Sequence, residues 1–143
     1  MMASVRLTVG GIITRNGKEG LEVLLTRRNV NPFKNKWCIP GGHVELYEDA
    51  VTAVIREIKE ETNLDFRPVF FDYMDEIFED LQIHNVVLFF YGEATNELIP
   101  SPDEVSEAAW FTLEEALNKD LAFRHGKAIK LYINKLKLTG TQS

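Results

Sequence analysis

The chain has 143 residues, with 16 Lys and Arg against 22 Asp and Glu and hence a formal net charge of −6. Its 45% hydrophobic and 27% charged residues match ordinary globular composition and exclude disordered, collagen-like and coiled-coil chains. A chain of this length buries about two-thirds of its unfolded surface around one core, so residues 1–143 are expected to form a single domain.

An acidic chain repels long nucleic acid. The longest apolar run, residues 86–91, falls far short of the roughly 20 residues of a membrane-spanning helix. Residues 1–6 show no basic stretch followed by an apolar one, so nothing argues for export. The single cysteine, Cys38, cannot close an internal disulfide and reads as a small, half-buried apolar residue. These features predict a cytoplasmic protein with neither a membrane nor long nucleic acid as partner.

Residues 5–14 and 21–26 are β-rich runs, and Asn16-Gly17 between them predicts a turn. Residues 29–42 contain Pro32, Pro40, Gly41 and Gly42, breakers that predict a loop. Residues 48–62 carry Val51, Val54, Ile55 and Ile58 at the i, i+3, i+4, i+7 spacing of a helix with a buried stripe. Residues 66–74, 85–93 and 108–111 read as strands. The middle one is nearly continuous in apolar residues, as in a central strand buried on both faces. Thr112 followed by Glu115 predicts a capped short helix over 112–118, and residues 126–136 read as the terminal helix. Strands and helices without strict alternation predict a mixed sheet between helices, an α/β/α sandwich.

Glu57, Glu60 and Glu61 lie at i, i+3 and i+4 on the long helix, within an arc of about 100°. Such like-charge pairs destabilise a helix by about 0.2–0.5 kcal/mol each. A hard divalent cation, with its preference for oxygen ligands, would offset that. The alternative is a solvated face paired with Arg56 and Lys59.

The surrounding spacing decides between the two. Gly42, five residues, Glu48, seven residues, then Arg56-Glu57-Ile58-Lys59-Glu60-Glu61-Thr62-Asn63-Leu64 closely resembles the signature of the Nudix hydrolases, G-x5-E-x7-R-E-U-x-E-E-x-G-U, with U a bulky aliphatic. The chain departs from it at Asn63, where the family has glycine; asparagine is the next best residue for a left-handed helix end. The approach Trp37-Cys38-Ile39-Pro40-Gly41-Gly42 and the late acidic stretch before Trp110-Phe111 are also similar to the family.

The resemblance implies the Nudix fold and hydrolysis of a diphosphate bond with Mg²⁺, or Mn²⁺ in its place. It assigns metal binding to Glu57, Glu60, Glu61 and the main-chain oxygen of Gly42. Arg56 would orient the glutamates, and Glu48 would tie the loop to the helix. Glu104, with Glu107 as second choice, would supply a further ligand or the base. Arg27 and Arg28 are candidate phosphate clamps, since guanidinium forks fit oxyanions, and Phe33, Trp37 or Tyr73 candidates for stacking on a base or ribose.

The loop over residues 28–37 resembles that of ADP-ribose pyrophosphatases, although Asp80 stands where that group commonly has a proline. The favoured substrate is a nucleoside diphosphate linked to another group, ADP-ribose or a nucleotide sugar. The alternatives are a MutT-like nucleoside triphosphate pyrophosphohydrolase and a non-catalytic nucleotide-sensing module. Relatives that dimerise make a homodimer the expected assembly, if there is one. His43, His84 and His125 show no metal-ligand spacing and are expected to be structural or surface residues.

Overall fold

Period-two alternation along the central strands decides the architecture, because it sends neighbouring apolar side chains to opposite faces of one sheet. The computed structural model describes residues 3–139. Its strands are β1 (Val5–Gly17), β2 (Gly20–Arg28), β3 (Trp37–Cys38), β4 (Gly41–His43), β5 (Asp65–Phe66), β6 (Val69–Phe78), β7 (Ile83–Gly92), β8 (Ala94–Thr95) and β9 (Val105–Thr112). The helices are α1 (Ala50–Thr62), α2 (Leu113–Leu117) and α3 (His125–Thr139).

The main sheet runs β3-β2-β1-β7-β6, with β4 also on β1 and β9 also on β2, while β5 and β8 pair separately. Strands β1 and β7 are parallel, whereas β1 with β2 and β6 with β7 are antiparallel. The sheet is therefore mixed, as expected.

Ile12, Val23, Leu25, Val87 and Phe89 face one side, under Ala116 of α2 and Ala128, Ile129 and Tyr132 of α3. Val9, Ile13, Leu24 and Phe90 face the other, under Ala53, Val54 and Ile58 of α1. Strands β1, β2 and β7 are thus covered on both faces, the reason their sequences read as nearly unbroken apolar runs. Cys38 is 5% exposed, more deeply buried than expected.

Several expectations are corrected. Asn16 and Gly17 remain in strand; the turn is at Lys18-Glu19, and the positive φ of 113° falls on Gly20. The breakers of residues 29–42 exclude a helix but leave room for β3 and β4. The strand expected over 66–74 is broken at Arg67-Pro68, where proline has no N–H for a ladder. On α1 the buried residues are Ala53, Val54, Ile58, Glu61 and Thr62, while Val51 and Ile55 are 48% and 38% exposed. The helix is rolled toward the sheet through small Ala53 and Gly11; a Cβ on Gly11 would collide with Ile58 Cδ1.

Helix α1 is capped at both ends. Asp49 accepts from the Thr52 N–H at 2.7 Å. Asn63 ends the helix at φ 68°, donating its own N–H to the Lys59 carbonyl at 2.9 Å and its Nδ2 to the Glu97 carbonyl at 2.9 Å. Left-handed backbone penalises an ordinary L-residue by about 1–2 kcal/mol, and a hydrogen bond contributes about 0.5–1.5 kcal/mol. Asn63→Ala should therefore lower the unfolding free energy by about 1–2 kcal/mol, and Asn63→Gly, which relieves φ but loses the Glu97 bond, by under about 1 kcal/mol; urea midpoints at unchanged m would check both.

Candidate active site

The site forms where β4 crosses the acidic side of α1. Asp49 starts the helix so that Glu57 and Glu61, one turn apart, project toward Gly41 and Gly42. Gly42 sits so close that a Cβ there would strike the Glu57 carboxylate, so any larger residue would displace that side chain from its present place.

Glu104 approaches from the loop before β9. That loop is held by Asn29 N–H to the Glu104 carbonyl at 2.9 Å and by Val105 N–H to the Ser101 carbonyl at 2.9 Å. Ser101 N–H in turn donates to the carbonyl of Glu61 at 2.9 Å, which ties the loop to the helix. One carboxylate oxygen from each of Glu57, Glu61 and Glu104 lies within 4.8 Å of the others. Glu60, expected in the same set, stands aside: it is exposed and reaches Arg56 Nη1 at 3.3 Å.

Arg56 organises the cluster. Its Nε and Nη2 donate to the two oxygens of Glu48 at 2.7 and 2.9 Å, Nη1 donates to Glu57 Oε1 at 3.1 Å, and Nη2 also reaches the His43 carbonyl at 3.1 Å. Glu48 further accepts from the Glu45 N–H at 3.0 Å. The fork–fork geometry is the strong form of this pair, and the Arg56 hydrogen bonds hold the Glu48 carboxyl down at about 2.

Glu57 and Glu61 go the other way. Burial pushes the Glu57 carboxyl up against the pull of Arg56. Burial also pushes Glu61, 6% exposed, well above its ordinary value, with the Glu57 and Glu104 charges adding to the shift. Three converging carboxylates, one of them buried, oppose one another unless positive charge lies between them. An all-oxygen set of this kind fits a hard divalent cation.

Glu61 and Glu104 line a cavity of about 600 Å³ together with Gly41, Gly42, His43, Arg28, Cys38 and Phe123. Of the four expected substrate contacts, Arg28 lines the cavity, with its Nε donating to the Pro32 carbonyl at 2.7 Å. Arg27, Phe33 and Trp37 are not among its walls. Arg27 is bound to Glu107 at 3.1 Å and to the Asn35 carbonyl at 3.0 Å. Phe33 packs on Phe123 and Phe78, and Trp37 packs edge-on against Phe111. These aromatics satisfy core and loop packing, and Glu107, the second-choice acid, is taken by Arg27. Tyr73 is 55% exposed on β6, away from the cavity walls.

The sequence reading missed Glu76, Asn85 and His125, which line the deep part of the cavity and are 2%, 8% and 8% exposed. A signal existed for Glu76, which shares a strand face with Met74 and Phe78 at period two. The register shift between Phe70 and Asp72 obscured it.

The comparisons with known proteins agree with this geometry. The family model of the NUDIX domain matches residues 5–132. The chain is similar to the ADP-ribose pyrophosphatase of Methanocaldococcus jannaschii, 35% identical over 129 residues, covering 89% of this chain and 72% of that one. It is also similar to the 8-oxo-dGTP diphosphatase of Escherichia coli, 30% identical, covering 83% of this chain and 88% of that one. Several longer relatives are covered over only 34% to 45% of their length. Among solved structures, the NUDIX domain of Shewanella oneidensis NrtR complexed with ADP ribose superposes with a TM-score of 0.83 at 23% identity, covering 93% of this chain and 89% of that one; this likeness shows the fold. The chain belongs to the Nudix hydrolase family.

The raised Glu61 carboxyl carries a stability prediction. A carboxyl whose folded value exceeds the unfolded 4.5 contributes stability below 4.5 that is lost as pH rises through the folded value. In divalent-free buffer, Glu61→Gln should therefore melt at a higher temperature than the parent at pH 8, and the gap should close by about pH 4. Differential scanning calorimetry in EDTA checks this, and a parent at least as stable as the variant at pH 8 would contradict it.

Proposed function

We propose that this chain is a divalent-cation-dependent pyrophosphohydrolase, with Mg²⁺ as the ion and Mn²⁺ able to replace it. Its substrate is a nucleoside diphosphate linked to another group, ADP-ribose or a nucleotide sugar. The observation that carries this reading is the convergence of Glu57, Glu61 and Glu104 within 4.8 Å, with Glu61 and Glu104 on the wall of one cavity. The 35% identity to the archaeal ADP-ribose pyrophosphatase supports the choice of substrate. A cytoplasmic location and a single domain over residues 1–143 belong to the same reading; among the described residues no helix is long and apolar enough to cross a membrane.

Glu57, Glu61 and Glu104, with the Gly42 carbonyl, would hold the cation, and the exposed Glu60 would reach it by turning away from Arg56. When bound, the ion supplies Lewis-acid activation of water and neutralises charge on the phosphates. Arg56 keeps Glu57 from swinging toward solvent, and the Gly42 backbone packs against the Glu57 carboxylate. Arg28, which lines the same cavity, would pair with a phosphate oxygen. Glu104 is the exposed member of the cluster, and its carboxylate would accept the proton from the attacking water.

A MutT-like triphosphate pyrophosphohydrolase is the second reading, favoured by similarity to the E. coli 8-oxo-dGTP diphosphatase over 88% of that chain. A nucleotide sensor without turnover is the third. Retention of Glu57, Glu60 and Glu61 speaks against it.

Glu60→Gln and Glu61→Gln should fold and lose turnover by about 100-fold or more, and Glu104→Gln by about 10-fold or more, because the lost groups serve the transition state. The test is phosphate release after phosphatase coupling from ADP-ribose, nucleotide sugars, dinucleoside polyphosphates and nucleoside triphosphates, with Mg²⁺ and with chelator. Metal-dependent release from ADP-ribose or a nucleotide sugar above the triphosphates is the expected result. Release from triphosphates alone would move the reading to the MutT-like class, and binding without release to the sensor.

A further inference from the structure

Behind the carboxylate cluster, the cavity ends in a polar wall that the chemistry above does not use. Glu76 on β6 is 2% exposed and lines the cavity. Its Oε1 accepts from the Asn85 amide at 3.3 Å, while Oε2 is buried without a hydrogen-bond partner. A buried carboxylate oxygen left unpaired is costly to a fold, so its retention in a cavity wall needs a reason.

Opposite it lies His125, at the start of α3. Its Nδ1 accepts from the Ile39 N–H at 2.9 Å, which leaves the proton of the neutral ring on Nε2. Burial and the nearby Arg28 charge push His125 down to about 3, so the ring is neutral at physiological pH. Nε2 stands 3.7 Å from Glu76 Oε2, too far for a hydrogen bond between them. The cavity wall therefore holds a buried acceptor oxygen without a hydrogen-bond partner and an N–H donor 3.7 Å apart, one braced by Asn85 and the other by Ile39, with the Arg124 and Arg28 charges beside the carboxylate.

We infer that Glu76 and His125 read the edge of a nucleobase that offers a hydrogen-bond donor beside an acceptor, making Glu76 a specificity-determining residue. A spacing of 3.7 Å suits two adjacent ring positions, which are about 2.3–2.4 Å apart and splay outward to their partners at about 2.9 Å. The remaining walls suit a flat ring: Ile83, Val87 and Phe123 are apolar or aromatic, and a heteroaromatic ring stacks and buries where a sugar cannot. A site built to hydrogen-bond a ligand group rejects the analogue lacking that group, because its own buried polar atoms are then left unpaired. Two kinds of base share this chemistry: an amino group beside a ring nitrogen, as in adenine and cytosine, and an N–H beside a carbonyl, as in hypoxanthine and uracil. The inference rests on the proposal that the cavity holds a nucleotide, but not on turnover.

The test is calorimetric titration of the full chain in EDTA with AMP, CMP, IMP, UMP, purine riboside 5′-monophosphate and ribose 5-phosphate. At least one of the four base-bearing monophosphates should bind tenfold or more tightly than ribose 5-phosphate, and its identity tells which edge is read. If that one is AMP, purine riboside 5′-monophosphate, which lacks only the amino donor, should bind at least tenfold more weakly.

Glu76→Gln keeps Oε1 for Asn85 and turns the free acceptor into an amide donor. It should remove at least tenfold of the base-dependent affinity, with a melting temperature no lower than the parent's. Base-dependent affinity equal in parent and Glu76→Gln, or no base bound better than ribose 5-phosphate, would overturn the inference. Metal-dependent hydrolysis by the parent alongside either of those results would leave the hydrolase reading standing. Base-dependent binding lost in Glu76→Gln, with no hydrolysis of any substrate, would do the reverse.

Discussion

Arg56 binds Glu48 through both carboxylate oxygens while its third nitrogen holds Glu57, and the site depends on this one guanidinium. Without it, Glu48, Glu57 and Glu60 would be like charges on one helix and its leading loop, free to move apart into water. With it, the loop before α1 is fastened to the helix and Glu57 is kept facing Glu61 and Glu104. Lysine would not serve, because a compact ammonium cannot make a planar bidentate pair and reach a third carboxylate at once.

The second constraint is the sheet. Strands β1, β2 and β7 are covered on both sides, so the acid-bearing helix α1 and the His125-bearing helix α3 lie on opposite faces. Strand β4 on β1 carries the Gly41–Gly42 backbone over α1, and β9 on β2 delivers the Glu104 loop. The Glu61 and Glu104 carboxylates and the polar wall of Glu76 and His125 are thus anchored on one sheet but on different parts of it, the first beside β1 and β2 and the second on β6 and the α3 packed over the sheet. The cavity of about 600 Å³ thus joins two polar regions, Glu61 and Glu104 in one and Glu76, Asn85 and His125 in the other.

The long helix and its caps were legible in the chain because their determinants are local. Asp49 caps the N-terminus through its own side chain, and Asn63, a residue suited to a left-handed helix end, takes φ 68° there. The stripe of α1 was read too simply. Val51 and Ile55 satisfy the spacing but point out, because Gly11 and Ala53 let the helix roll toward the sheet. Phe33 and Trp37 illustrate the converse error: aromatic residues near a suspected site are used here for packing, as their contacts with Phe123 and Phe111 show.

By itself the sequence determined the fold family, the helix that carries the acids and the grouping of Arg56, Glu57, Glu60 and Glu61 along it, since spacing along one helix fixes which side chains share a face. Tertiary structure alone decided that Glu104, already preferred to Glu107 in the sequence, comes within 4.8 Å of Glu57 and Glu61, that Glu60 stands aside, and that Glu76, Asn85 and His125 form the far wall. Those residues come from a loop, two strands and a second helix separated by up to about 60 positions. No periodicity links such segments, and only strand register and the packing of α3 against the sheet bring them within reach of one another.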